Sequence, residues 1–380
     1  MRKKLWIIGF LVIVVCALTV AAHEIIAVDP YFHYHAPNTQ SYFYPLNNQR
    51  SQNDGICKHF DYEGLITGTS MTENFKTTEA EELFGMQFVK VSYSGGTYNE
   101  INRSLAVAAA HNPDLKCIIR GLDMGRFIED KDSLRNDLGT YPAYLYDDSW
   151  INDAEYVFNR DVLFSRVYPM TKENDTPGFA GGITSFDAYS NWMGNYTFGH
   201  HTLFPDGFTA KDTASPVELT REDIDLIKGN IQQNVVALAE KYPDITFYYF
   251  FTPYSAAWWQ VLLTAGTLDR QIDAEKIVIE EILKCDNIKL FSFNCLFDVT
   301  TDLNNYKDVY HYGEWINSLI LRFMHDGKCQ LNEDNYQSYI EEERKFYKTY
   351  DYAKMTEQQD YADDYYAAVV LEKEISGTES

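Results

Sequence analysis

Five short runs of apolar, β-branched and aromatic residues, at 64–67, 88–93, 116–119, 245–252 and 288–293, constrain this chain more than any other feature. Each is nearly continuous in apolar character and ends in small or polar residues, the pattern of strands buried on both faces. Helical spacing separates them. Residues 99–111 place Ile101, Leu105 and Ala108 on one face and stop at Asn112 and Pro113. Thr220 stands as the N-cap of a helix reaching residue 241, with Ile224, Ile227, Ile231, Val235 and Leu238 as its buried stripe, and 268–283 reads likewise. Strands alternating with helices predict an α/β fold, a three-layer α/β/α sandwich around a five-stranded, mostly parallel sheet.

The alternation stops between the third and fourth runs, so residues 127–216 read as an insertion. Positions 141–208 carry 16 aromatics, well above the chain average of 15%, interleaved with Asp147, Asp148, Asn152, Asn159, Asp187 and Asn191. Two readings fit that mixture: a small aromatic subcore beneath long loops, or a surface that binds a sugar or glycopolymer. The organisation expected is a signal-anchor at 1–26, the α/β domain with its insertion at 27–335, and a helical, solvated tail at 336–380, where Tyr alternates with Glu, Lys and Asp.

Arg2, Lys3 and Lys4 precede an uncharged apolar stretch, residues 5–22, that approaches the length of a membrane span. Basic residues on its near side predict that everything after His23 lies outside the cytoplasmic membrane. The run exceeds a usual signal core, which favours a retained anchor, although Val20, Ala21 and Ala22 also suit signal peptidase. The net charge is −24 and no basic cluster follows residue 4, so nucleic acid is excluded as a partner class. Cys57, Cys117, Cys285, Cys295 and Cys329 form no Cys-x-x-Cys pair and define neither a zinc site nor a disulfide framework; a Cys285–Cys295 pair and free buried thiols both stay open. No His-Glu-x-x-His run or other ligand spacing points to a metal, and no cofactor is expected.

The first strand runs into Gly68-Thr69-Ser70-Met71-Thr72, a tight turn at the carboxyl edge of the sheet, where open α/β folds place their sites. Asp308-Val309-Tyr310-His311 follows the last strand and precedes a helical run. An aspartate three residues before a histidine on a loop can orient the imidazole, which then deprotonates a serine hydroxyl. Asp308 is preferred over Asp298 and Asp302 on spacing alone. The reading is therefore Ser70 as nucleophile, His311 as base and Asp308 as orienting acid.

These blocks resemble the SGNH/GDSL hydrolase superfamily, of flavodoxin-like sheet order. Ser70 matches its nucleophile, Gly95 or Gly96 in Ser92-Tyr93-Ser94-Gly95-Gly96 its second-block glycine, and Asp308 with His311 its last block. Gly-Thr-Ser stands where Gly-Asp-Ser is usual, and Arg120-Gly121-Leu122-Asp123 offers Asp123 where an asparagine belongs. The resemblance implies an oxyanion hole drawn from Met71, Gly95, Gly96 and the Asp123 position, with Arg120, Arg126, Tyr146, Trp192 and Tyr254 as candidate substrate-binding residues. With its anchor and insertion the chain is similar to the membrane-anchored branch that includes the D-alanyl-lipoteichoic acid transfer protein and the alginate O-acetyltransferases. That branch implies an enzyme at the surface of a Gram-positive cell, an esterase or O-acyltransferase acting on an acylated envelope polymer beside a membrane-bound acyl-transfer partner. An ionised Asp123 cannot donate to an oxyanion, so the alternative is a surface protein that keeps the fold and binds a glycopolymer or an assembly partner without turnover.

Overall fold

The structure, a computed structural model, describes residues 2–135, 141–147, 149–209 and 212–358; Asp148 and the last part of the expected tail, 359–380, lie outside them. The chain is α/β with one principal sheet. Its strands are β1 (Gly64–Gly68), β2 (Phe88–Ser92), β3 (Cys117–Leu122), β4 (Thr246–Phe251), β5 (Ile288–Ser292) and β6 (Gln330–Leu331). They lie in the order β2-β1-β3-β4-β5-β6. Neighbours from β2 to β5 pair in parallel, and β6 runs antiparallel beside β5, with Leu290 opposite Leu331.

The sheet is thus mixed and six-stranded rather than five-stranded. A two-residue strand leaves no hydrophobic run to read, and it arises only because Gly327 (φ 71°) turns the chain back after the preceding helix. Every residue of β1, β2 and β3 is buried, so both faces of the sheet are covered.

The covering helices are α1 (Arg2–Val28), α2 (Gln49–His59), α3 (Thr77–Phe84), α4 (Tyr98–His111), α5 (Arg221–Ile231), α6 (Leu268–Ile282), α7 (Glu314–Asp326) and α8 (Tyr336–Thr349). α2 packs on α4, α5 on α6, and α6 on α8, while α3 and α7 form a separate pair. Thr220 caps α5 in a reciprocal box with Asp223, and the helix continues through a π turn, Gln232–Val236, to Lys241. α8 departs from the solvated helix expected. Ile340, Glu343 and Tyr347 are buried, and Tyr347 stacks on Trp259 at 4.2 Å. The Tyr339 hydroxyl lies 3.2 Å from Glu275 and 3.0 Å from Glu343, two carboxyls that burial drives above their usual range.

α1 is long and apolar enough to cross a membrane, and its first two dozen residues make no packing contact that buries them. At its far end Ile25 and Val28 are fully buried in the domain. The insertion supplies short helices and a two-residue ladder, Gly182–Ile183, parallel to Phe43–Tyr44. Its aromatics divide: Tyr156 and Tyr189 are core, whereas Trp150, Phe158, Phe164 and Tyr168 are exposed. Among the described residues Cys285 and Cys295 form no disulfide, and Cys57, Cys117 and Cys285 are buried.

Chain order places β2 on one side of β1 and β3 on the other. The crevice beyond the carboxyl ends of β1 and β3 is therefore the topological switch point of the sheet.

Candidate active site

β1 ends at Gly68 with φ +151°, where a Cβ would sit 2.6 Å from the Thr72 methyl carbon and 3.4 Å from the Gly121 amide. Only glycine brings the two strand ends this close. The following turn is held from several sides. Thr72 donates its hydroxyl to the Thr69 carbonyl at 2.9 Å and lies 2.7 Å from the Ser92 hydroxyl, while Asn317 donates to the Met71 carbonyl at 3.0 Å. Buried Lys90, on β2, donates to the Glu73 and Phe75 carbonyls at 2.5 and 2.8 Å, clamping the turn's exit. Burial pulls its amine down to about 7 against the opposing pull of Asp187 and Glu73. Ser70 sits half-buried at the head of this rigid turn.

His311 arrives from a loop closed on itself. Lys307 donates its amide to the His311 carbonyl at 3.0 Å, Tyr306 bridges Tyr312, and Ser255 binds the Val309 carbonyl from below. The imidazole Nε2 lies 2.8 Å from Ser70 Oγ, and Nδ1 lies 2.8 Å from Asp308 Oδ2 and 3.0 Å from Oδ1. Asp308 Oδ1 also accepts the amides of Tyr310 and His311 at 2.9 and 2.8 Å. Burial opposes its charge, but the hydrogen bonds and the nearby imidazole win and hold the carboxyl below its usual range. A carboxylate only accepts, so Nδ1 carries the proton and Nε2 is left to accept from the serine. The structure thus brings Ser70, His311 and Asp308 together from positions 241 residues apart. Asp302 instead caps the Asn304 amide at 3.0 Å.

Other predicted positions fall differently. Asp123 is buried, receiving the Thr69 hydroxyl on one oxygen and the Tyr254 hydroxyl on the other, both at 2.7 Å. Burial raises its carboxyl, and these two bonds restrain the rise. The Asp123 side chain therefore braces the serine turn, and Tyr254 is its buried partner rather than a substrate contact. The Met71 amide is directed at Thr69 Oγ1 at 3.4 Å, and the Gly96 amide is spent on the Tyr93 carbonyl at 2.7 Å. The amides of Ser70 and Gly95 make no hydrogen bond among the described residues.

Arg120 is fully buried away from the crevice. It donates to the Asn234 carbonyl at 2.6 Å and lies over the Tyr98 and Tyr249 rings. Arg126 is tied to Glu129 at 2.7 Å and to the Gly95 carbonyl at 2.9 Å, which positions that loop. Tyr146 donates to the Arg50 carbonyl at 2.6 Å and so pins the insertion to α2.

Trp192 does reach the site. Its indole nitrogen donates to the Ser70 carbonyl at 3.3 Å, and its ring meets His311 edge-on at 5.8 Å. Lys307, which no spacing rule singles out, holds its ammonium 3.9 Å from the Trp192 ring centre and 3.5 Å from that of Tyr196. Only its place immediately before Asp308 marked it in the sequence. Beside the turn, Asn47, Asn48, Gln49, Arg50, Glu73 and Ser94 contribute to a polar cavity of about 540 Å³. Among the described residues no cluster of metal-ligating side chains occurs.

No protein-family model matches the sequence, and no curated protein matches it. Among solved structures, a protein from Streptococcus pneumonia provisionally described as a platelet activating factor aligns at 12% identity with a TM-score of 0.37. That alignment covers 73% of this chain and 90% of that one.

Proposed function

We propose that the protein is a serine-dependent acyl esterase or O-acyltransferase, built on an SGNH-like three-layer α/β/α core and held outside the cytoplasmic membrane by α1. The observation that carries this reading is the hydrogen-bonded series Ser70–His311–Asp308, with heavy-atom distances of 2.8 Å at both joints. That spacing is within reach for proton transfer as the nucleophile attacks an ester carbonyl. Ser70 would form the acyl-enzyme, His311 would carry the proton to the leaving alcohol, and Asp308 would hold the imidazole tautomer. The Ser70 and Gly95 amides are the donors left for the oxyanion, in place of Met71, Gly96 and Asp123.

The polar cavity beside the turn, lined by carboxamides and hydroxyls together with Arg50 and Glu73, favours a hydroxyl-rich acceptor, an acylated glycopolymer of the envelope, over an apolar ester. Water as acceptor makes an esterase, and a sugar hydroxyl makes a transferase. A second reading, glycopolymer binding without turnover, draws on the Met71, Gly96 and Asp123 groups being already engaged.

Fluorophosphonate labelling and acetyl-ester turnover, with Ser70→Ala and His311→Ala alongside, test the proposal. Labelling at Ser70 lost in both variants supports catalysis. Absence of labelling and turnover in the parent chain favours binding alone.

A further inference from the structure

α1 leads straight into the domain with no linker. Its apolar stretch from Leu5 to Ala22 rises ~1.5 Å per residue and so nearly spans the ~30 Å hydrocarbon core before the helix ends. Within two turns of that point Ile25 and Val28 are buried in the domain. The junction is rigid. Asp29, itself fully buried with φ 46°, accepts the amides of His33, Tyr34 and His35 and the hydroxyl of Tyr156 at 2.8 Å. Tyr34 and His33 bind Asp153 at 3.0 and 3.1 Å, and Tyr31 stacks on Tyr156. The domain is therefore fixed at the end of α1, and whatever packs around that end lies at the membrane surface.

What packs there is one stretch of the insertion, the short helix Ala154–Val157 and the turn Leu163–Val167, both in contact with α1. This stretch turns large apolar side chains outward. Trp150 is 81% exposed, Ile151 74%, Phe164 62%, and Phe158 and Tyr168 are each more than half exposed. Phe164 lies in the π turn and Tyr168 opens the helix that continues it, and Lys172 reaches back to 5.7 Å from the Tyr168 ring. Aromatic side chains with a neighbouring lysine suit the boundary between lipid headgroups and acyl chains. Exposed Glu155 and Asp161 share the stretch, and their charges require water or headgroups around them.

We propose that Trp150, Ile151, Phe158, Phe164 and Tyr168 form a second, interfacial membrane contact, inserted into the leaflet that α1 enters. The occupant of this apolar surface is lipid, because the surface is continuous with a helix whose own exposed apolar face requires lipid. The consequence is orientation: α1 alone permits rotation about its axis, and a second contact fixes which side of the domain meets the envelope. The inference rests on α1 being a retained membrane span.

The test uses the full chain in phospholipid nanodiscs, with an environment-sensitive fluorescent amino acid placed singly at 10, 164 or 334, and nitroxide lipids as quenchers. Position 10 reports α1. Position 334 lies beside β6, at the far edge of the sheet from β2, against which α2 packs. Strong quenching at 10, and quenching at 164 several-fold above that at 334, is expected. Quenching at 10 with 164 no different from 334 overturns the interfacial contact while leaving the anchor intact. No quenching at 10 overturns the anchor and with it this proposal. Deuterium uptake of the unsubstituted chain gives a measure that no substitution can disturb. Peptides within 150–168 exchange more slowly in nanodiscs than in detergent monomers if the contact exists, and equally if it does not.

Discussion

Replacing Asp308 with asparagine is a sharp test of the catalytic reading, because the two carboxylate oxygens have different duties. Oδ1 accepts the Tyr310 and His311 amides at 2.9 and 2.8 Å and lies 3.0 Å from His311 Nδ1, while Oδ2 makes the shorter contact to Nδ1 at 2.8 Å and no other. An asparagine keeps its carbonyl oxygen on the two amides, since reversing it sets an NH₂ against two N–H donors and forfeits two bonds of about 1 kcal/mol each. The NH₂ then points at Nδ1. Set against that NH₂ at the shorter contact, and with Oδ1 already taken by two amides, Nδ1 is favoured as an acceptor over a donor to Oδ1 at 3.0 Å, and the ring proton moves to Nε2, 2.8 Å from Ser70 Oγ, where a base is needed. Geometry survives but the tautomer is inverted. The expected loss of turnover is ~10⁴-fold, which is about 5 kcal/mol of transition-state stabilisation. Because the Asp308 side chain is 44% exposed, the effect on folding should stay below about 1 kcal/mol once solvent screening is counted. The assay is acetyl-ester turnover and the fluorophosphonate labelling rate of the full chain in detergent, with thermal unfolding followed in parallel. Activity of Asp308→Asn within about tenfold of the parent would refute the assigned roles.

Gly68→Ala should lower stability by about 1–3 kcal/mol through its left-handed backbone and the Thr72 contact, and adding Thr72→Ser, which removes the crowding methyl, should restore part of it in thermal unfolding. Tyr254→Phe strips one of two hydroxyl donors from buried Asp123 and should destabilise by about 1.5–3 kcal/mol. The Asp123 carboxyl is already raised, so its protonated form is the better tolerated one. The Tyr254→Phe deficit should therefore shrink as pH falls below the folded pKa, as unfolding midpoints across pH would show. Glu275 and Glu343 bind protons more tightly folded than unfolded, so their contribution is fully present below the unfolded carboxylate pKa of about 4.3 and is lost as pH rises through the folded value. Glu343→Gln should raise the unfolding midpoint at alkaline pH relative to the parent, and a fall there would show that the pair is not a repulsive one.

Local rules carried the reading of β1 to β5, because a strand buried on both faces needs an unbroken apolar run, and such a run is visible without knowing its neighbours. The same holds for the N-cap at Thr220, for the tight turn that carries Ser70, and for Asp308 and His311, whose three-residue spacing on one loop suffices to join carboxylate and imidazole. Pairing across long separations was decided by the tertiary structure. β6 exists only against β5. Arg120 looked available in the sequence, yet its strand register aims it at Asn234 and two tyrosine rings. Asp123 stood where an asparagine was expected, and its carboxyl oxygens are taken up by the hydroxyls of Thr69 and Tyr254, 54 and 131 residues away. Trp192 joined the site because the insertion folds back over His311, and Lys307 because its ammonium meets Trp192 and Tyr196. Periodicity reports which face of an element is apolar. It carries no information about which distant hydroxyl, carbonyl or ring will satisfy a polar group once that face is buried, and those partners determine which side chains hold the turn and which remain free for chemistry.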